Sequence, residues 1–153
     1  MLMPDDEGNT AVHYAVLGGS LELLQFLMRK SAGCVVPGIP LVAARNAAGE
    51  TPLLRAAAAE NSLAMVKFLL QCSSDPFAAD GNRNTVFHNA ARNGRLWVVV
   101  ALLEHISSLY GPAVAHALLN QGDIDAHTPL EWACYSGHLS VVRFLIREGL
   151  VSE

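Results

Sequence analysis

Charge is scarce in this chain, and the balance is acidic. Charged residues make up 16% of its 153 residues, and the formal net charge is −4. A protein that neutralises phosphates needs a basic stripe, so the balance argues against a nucleic-acid partner. Long apolar runs are missing too. Among the longest is "LWVVVALL", Leu96 to Leu103, far short of the roughly 20 residues that span a bilayer. Direct membrane insertion is therefore not expected. The opening "MLMPDDEGNT" has no basic flank followed by an apolar stretch, so it does not read as a secretory signal. Cysteine is limited to Cys34, Cys72 and Cys134, an odd number with no two close together. They read as reduced thiols of a cytoplasmic protein. The acceptor pattern Asn-x-Ser/Thr is absent, which fits that location.

Chemical motifs are absent as well. The sequence holds no Gly-x-Ser-x-Gly, no Walker loop and no Cys-x-x-Cys or His-x-x-x-His ligand spacing. No catalytic residue, metal ligand or cofactor is assigned. What is plentiful is apolar material, 52% of the chain, enough for a sizeable core.

That material is arranged in a repeated unit. Four segments align: "GNTAVHYAVLGGSLELLQFLM" from Gly8, "GETPLLRAAAAENSLAMVKFLL" from Gly49, "NRNTVFHNAARNGRLWVVVALL" from Asn82 and "AHTPLEWACYSGHLSVVRFLI" from Ala126. Their threonines, Thr10, Thr51, Thr85 and Thr128, are 41, 34 and 43 residues apart, so a unit of about 33 with insertions is implied. Threonine caps a helix through its hydroxyl. Pro52 and Pro129 follow at the first helical position, where a missing N–H costs nothing. Small residues follow, among them Ala15, Ala56, Ala90 and Ala133, and let neighbouring helices approach. Gly19, Asn61, Gly94 and Gly137 then stop each first helix, because glycine and asparagine tolerate left-handed backbone. A second helix begins at once. In the fourth copy it is apolar at Leu139, Val141, Val142, Phe144, Leu145 and Ile146, with Arg143 and Arg147 facing out. Such a hairpin cannot bury its apolar flank alone, so the copies must stack as a solenoid.

The combined pattern, clearest in "TPLEWACYSGHLSVVRFLIREG" and "GNTAVHYAVLGGSLELLQFL", resembles the ankyrin repeat family. The resemblance implies an all-α solenoid of helix–turn–helix units joined by hairpin-like loops. A single array then fills residues 1–153, with units at about 5–31, 46–77, 80–106 and 123–150 and insertions at about 32–39 and 107–116.

The copies depart from one another in four respects. Thr51 to Leu63 spans twelve residues where the other copies have eleven, which predicts a lengthened or bulged helix end there. The apolar insertion 32–39 is expected to pack down. In the second insertion Gly111-Pro112 breaks the chain, and "PAVAHALLN" reads as an extra short helix that either packs or meets a partner. Two residues before the threonine, Gly8 and Gly49 give way to Arg83 and Ala126, which leaves the third and fourth turns undetermined. Neither end carries a polar capping unit, so the chain reads as a segment of a longer protein or as one whose apolar end a partner covers.

His13 and His88, three residues after Thr10 and Thr85, are by the resemblance braces for the adjoining turn. His138, next to a helix stop, is also read as structural. Glu22, Glu60 and Glu131 are scattered one to a unit and suggest no acid–base pair. Trp132, on a first helix, is expected in the core; Trp97, opening a second helix, is expected to be partly exposed.

By analogy the partner surface is the concave face of loop tips and first-helix ends: Asp6, Glu7, Asn9, Leu17, Glu50, Glu60, Asn82, Arg83, Asn84, Arg92, Asn93, Asp125, His127, Tyr135 and Ser136. Tyr135, Arg92 and Arg83 are the expected anchors, with Tyr135 and Arg92 removable at little cost in stability. The function that follows is a non-catalytic protein–protein interaction module or scaffold. The alternative is the regulatory or substrate-docking array of a larger enzyme such as a protein palmitoyltransferase.

Overall fold

A computed structural model describes residues 4–31, 43–72 and 74–150. The first insertion, 32–39, and Cys34 lie outside the described residues. Among the described residues there are nine helices and no strand: α1 (Ala11–Leu17), α2 (Leu21–Ser31), α3 (Pro52–Ala58), α4 (Leu63–Gln71), α5 (Val86–Arg92), α6 (Leu96–Tyr110), α7 (Pro112–Leu119), α8 (Pro129–Tyr135) and α9 (Leu139–Leu150).

The four first helices, α1, α3, α5 and α8, are each seven residues long. A threonine precedes every one of them. The hydroxyls of Thr51 and Thr128 accept from Leu54 N and Glu131 N, the cap that ends an orphan donor. At the other end Gly19, Asn61, Gly94 and Gly137 take φ of 72°, 50°, 72° and 78°, which reverses the chain into the second helix. Gly94 has a further reason to lack a side chain. A Cβ there would stand 2.5 Å from Nδ1 of His138, whose ring lies over the turn.

The first helices pack in a row, α1 on α3, α3 on α5 and α5 on α8. The second helices form a parallel row, α2 on α4, α4 on α6 and α6 on α9. The core runs between the rows. Leu24, Leu53, Leu54, Leu69, Phe87, Leu102 and Ile106 are each at most 1% exposed. Val141 and Leu145 join it from α9, while Arg143 and Arg147 face solvent as expected.

One expectation is narrowed and one needs correction. Of the lengthened or bulged end expected in the second copy, the extra residue does not lengthen α3. It is absorbed in the turn, where Ala59 is extended (φ −75°, ψ 151°). Ser62 secures the turn: its hydroxyl donates to Ala56 O, which Ala59 N also reaches, and, at 2.9 Å, to Ala59 O. The third unit, in turn, does not end near residue 106. Helix α6 runs 15 residues to Tyr110 before Gly111, at φ 93°, breaks it. Pro112 then opens α7, which packs on α6 and α9 and buries Ala115, Leu118 and Leu119. The second insertion is thus built into the wall of the second-helix row.

Candidate functional site

Four turns project from the first-helix row, and an aspartate or asparagine at one fixed position organises all of them. Asp5, Asn46, Asp80 and Asp123 each stand five residues before the marker threonine. In every copy Oδ1 accepts two backbone N–H groups, two and four residues on: Glu7 and Asn9, Ala48 and Glu50, Asn82 and Asn84, Asp125 and His127. Side chains of this kind build turns by standing in for backbone acceptors. The main chain closes the same loop in each copy, for example Asp80 N to Asn84 O and Arg83 N to Asp80 O. The undetermined turns therefore have the same geometry as the first two. Arg83 and Ala126 occupy the left-handed region at φ 62° and 65°, where Gly8 and Gly49 have 77° and 80°. Placing a side chain there costs about 1–2 kcal/mol each.

Each turn is tied to the next by one main-chain bond in a constant register. Ala47 N donates to Glu7 O at 2.7 Å, Gly81 N to Ala48 O at 3.0 Å and Ile124 N to Asn82 O at 2.9 Å.

Side chains add to these links. His13 Nδ1 accepts from Thr10 N at 3.1 Å, so the ring proton is on Nε2, which donates to Glu50 O in the next unit at 2.9 Å. His88 does the same with Thr85 N and His127 O. Both rings are the braces expected of them. Burial holds the pKa of both below the ordinary 6.5. His138 Nε2 reaches back to Arg92 O at 2.9 Å, a structural role as expected. The second unit has Leu54 where the brace would be. There Asn89 donates to Leu54 O, Arg95 to Ala58 O, and Arg45 to both Gly49 O and Ala79 O.

The fourth turn and α8 hold the densest group of polar and aromatic side chains on this face. Trp132 is not a core residue, which corrects the expectation. It is half-buried, and its indole N–H donates to Asp123 Oδ2 at 2.8 Å. The Arg92 guanidinium lies over its ring, 4.2 Å from the centroid, and donates to Asn84 Oδ1. Arg92 is therefore a structural link between the third and fourth units rather than a freely removable side chain. The rings of His127 and Tyr135 meet Trp132 edge-on, at centroid distances of 5.6 and 6.1 Å. Together with Glu131 these three rings line a pocket of about 300 Å³. Glu131 also belongs to the helix cap, its carboxylate accepting from Thr128 N at 3.4 Å. Burial pushes the Asp123 carboxyl up. The N–H donors of Trp132, His127 and Asp125 outweigh it and keep the pKa below the ordinary 3.8. Asp123, Asp125 and His127 bring ligand-type atoms within 4.8 Å of one another, but Asp123 is already committed to those three donors.

The other sequence-designated residues divide by exposure. Asp6, Glu7, Leu17, Glu60, Asn82, Arg83, Asp125, His127, Tyr135 and Ser136 are exposed, Tyr135 at 89%. Glu60 lies 3.8 Å from Arg95. Glu50 is half-buried and paired with Arg55 at 3.1 Å, and Asn93 donates to Asn89 O. Asn9 and Asn84 are withdrawn from the surface, 8% and 5% exposed, and bond to Asp5 and Asp80 inside their turns. Sequence reasoning passed over Tyr14, Glu131 and Trp132 on this face. Tyr14 is half exposed and donates to Asp5 Oδ2, which lowers the Asp5 pKa. It also passed over the Asp/Asn five residues before each threonine, whose fixed spacing was visible. Trp97 is 68% exposed, as expected. No helix of the described residues is long and apolar enough to cross a membrane.

Family models agree with this architecture. A model described as "Ankyrin repeats (3 copies)" matches residues 38–110 and 56–152, and one described as "Ankyrin repeats (many copies)" matches residues 1–28. The chain belongs to the ankyrin repeat family, whose repeats generally serve as protein–protein interaction modules.

Proposed function

We propose that this chain is a non-catalytic protein-binding module that captures a partner protein on the face made by its four turns and by α1, α3, α5 and α8. The observation that carries this reading is the row of four turns held in one register by main-chain bonds, with large apolar and aromatic side chains exposed on the helices beside them. Tyr14, Leu17 and Tyr135 are 51%, 62% and 89% exposed, with Trp132 half-buried beside them. Clusters of this kind on a surface supply binding energy. Four titratable groups of this face are spent internally. Asp5 and Asp123 hold their turns, and His13 and His88 join one unit to the next. A general acid or base must instead be free to exchange a proton with a substrate. The proposed setting is the cytoplasm, in keeping with Cys72 and Cys134 as free thiols.

A photoreactive side chain placed at position 17, 83 or 135 should crosslink the partner, and one placed at position 143 on α9 should not. With that partner purified, Tyr135→Ala should weaken binding about tenfold, the loss of one aromatic anchor. Crosslinks confined to position 143 would assign the partner to the opposite side and remove this reading.

A further inference from the structure

We propose that the pocket between the fourth turn and α8 receives a basic side chain, lysine or arginine, presented by the partner protein. This deepens the reading above and rests on it. The pocket is lined by His127, Trp132, Tyr135 and Glu131, and the Glu131 carboxylate stands at the head of α8, 3.4 Å from Thr128 N. Aromatic faces attract cations through their quadrupole, and a carboxylate beside them supplies the opposite charge. The Trp132 ring already takes a guanidinium from within the chain, that of Arg92. Arg92 is not one of the pocket's walls. The carboxylates of Asp123 and Asp125 in the fourth turn join that of Glu131 beside the pocket, and the guanidinium of Arg92 lies over the Trp132 ring. Asp125 and Glu131 are exposed and have no ion-pair partner among the described residues. Unpaired negative charge therefore lies beside the rings. An aliphatic side chain would bury against the rings but leave those carboxylates unanswered. An acidic one would meet like charge. A lysine or arginine satisfies both features at once.

The test is a titration of the 15N-labelled full chain with short peptides identical except for one central residue: Lys, Arg, Leu or Glu. The chain has two tryptophans, so the two indole N–H signals report Trp132 and Trp97 separately. The Trp132 signal should move with the Lys and Arg peptides and stay still with Leu and Glu, while Trp97 remains a silent control. Glu131→Gln should weaken the Lys peptide about two- to fivefold, the range of one exposed charge contact, and Tyr135→Ala by a similar factor or more. A preference for Leu, no response to any peptide, or indifference to Glu131→Gln would overturn the proposal. None of those results would disturb crosslinks from positions 17 and 83, which test the face as a whole. Crosslinks only from position 143 would remove the broader reading and leave the peptide result to stand or fall by itself.

Discussion

The junction between the third and fourth units and the junction between the second and third are built on one backbone plan with different side chains. Across the former, His88 reaches His127 O and His138 reaches Arg92 O, while Arg92 covers Trp132. Across the latter the brace position holds Leu54, and Asn89, Arg95 and Arg45 make the polar contacts. The turn-to-turn bond is the same in both, 2.9 and 3.0 Å long. The difference teaches that stacking is set by the main chain and its caps, and that the side-chain braces adjust how strongly and under what conditions each joint holds. The second joint contains no histidine among these contacts, so protonation should touch the two joints unequally.

The largest expected effect is one the two joints share. Helix α5 packs on both α3 and α8, and its Phe87 is fully buried. Phe87→Ala should cost about 3–5 kcal/mol. Urea unfolding should remain a single transition. Separation into two would show that the joints melt independently and would break the comparison. Next comes His88→Leu, which makes the third unit like the second. It leaves Thr85 N and His127 O without their partner, at an expected cost of about 1–3 kcal/mol. Hydrogen exchange should rise in the fourth turn and remain unchanged at the Ala48–Gly81 link.

Much of this was readable in the sequence because it is local. A threonine cap, a proline at the first helical position and a glycine or asparagine stop each act within a few residues, and four copies reinforced one another. The extra residue of the second unit was visible, but not the turn that absorbs it, because that turn is held by Ser62, which bonds back to Ala56 O and Ala59 O. The site was less readable. The size of Trp132 suggests a core residue, yet its counterparts four residues after the threonine are Tyr14, Arg55 and Asn89, of which only Asn89 is buried, and Asp123 in its turn and Arg92 from the preceding unit hold the ring at the surface. Contacts across a stack carry no fixed spacing when insertions separate the copies. Asn9 and Asn84 were misjudged as surface for a related reason. Each sits at a loop tip in sequence, yet is held by an aspartate five residues ahead of the cap.

Acid should discriminate between the joints more gently. His13 and His88 have lowered pKa values in the folded chain, with burial the main cause, and the ordinary 6.5 in the unfolded one. Below that value the unfolded chain binds more protons, so stability should be flat above about pH 7 and decline as pH falls through about 6.5. His13→Leu with His88→Leu should flatten the decline over that range. An equal slope in the double variant would place the proton uptake elsewhere. The smallest effect expected is a gain. Arg83→Gly and Ala126→Gly relieve left-handed backbone but add freedom to the unfolded chain, leaving about 0.5–1 kcal/mol of stabilisation each. Gly49→Ala should do the reverse and more sharply, because a Cβ there would lie 2.8 Å from Gly81 N. Thermal melts of the three variants side by side would check the order.

The bonds from Ala47 to Glu7, Gly81 to Ala48 and Ile124 to Asn82 have a consequence for how such a protein can change. Amide meets carbonyl at these rungs, and neither group belongs to a side chain. Residues at the rungs can therefore be exchanged without loosening the grip of one unit on the next, with two exceptions: proline at a donor, and any side chain at Gly81, whose Cβ would stand 3.2 Å from Ala48 O. The molecule can acquire a new recognition surface by point substitution while its spine stays as it was.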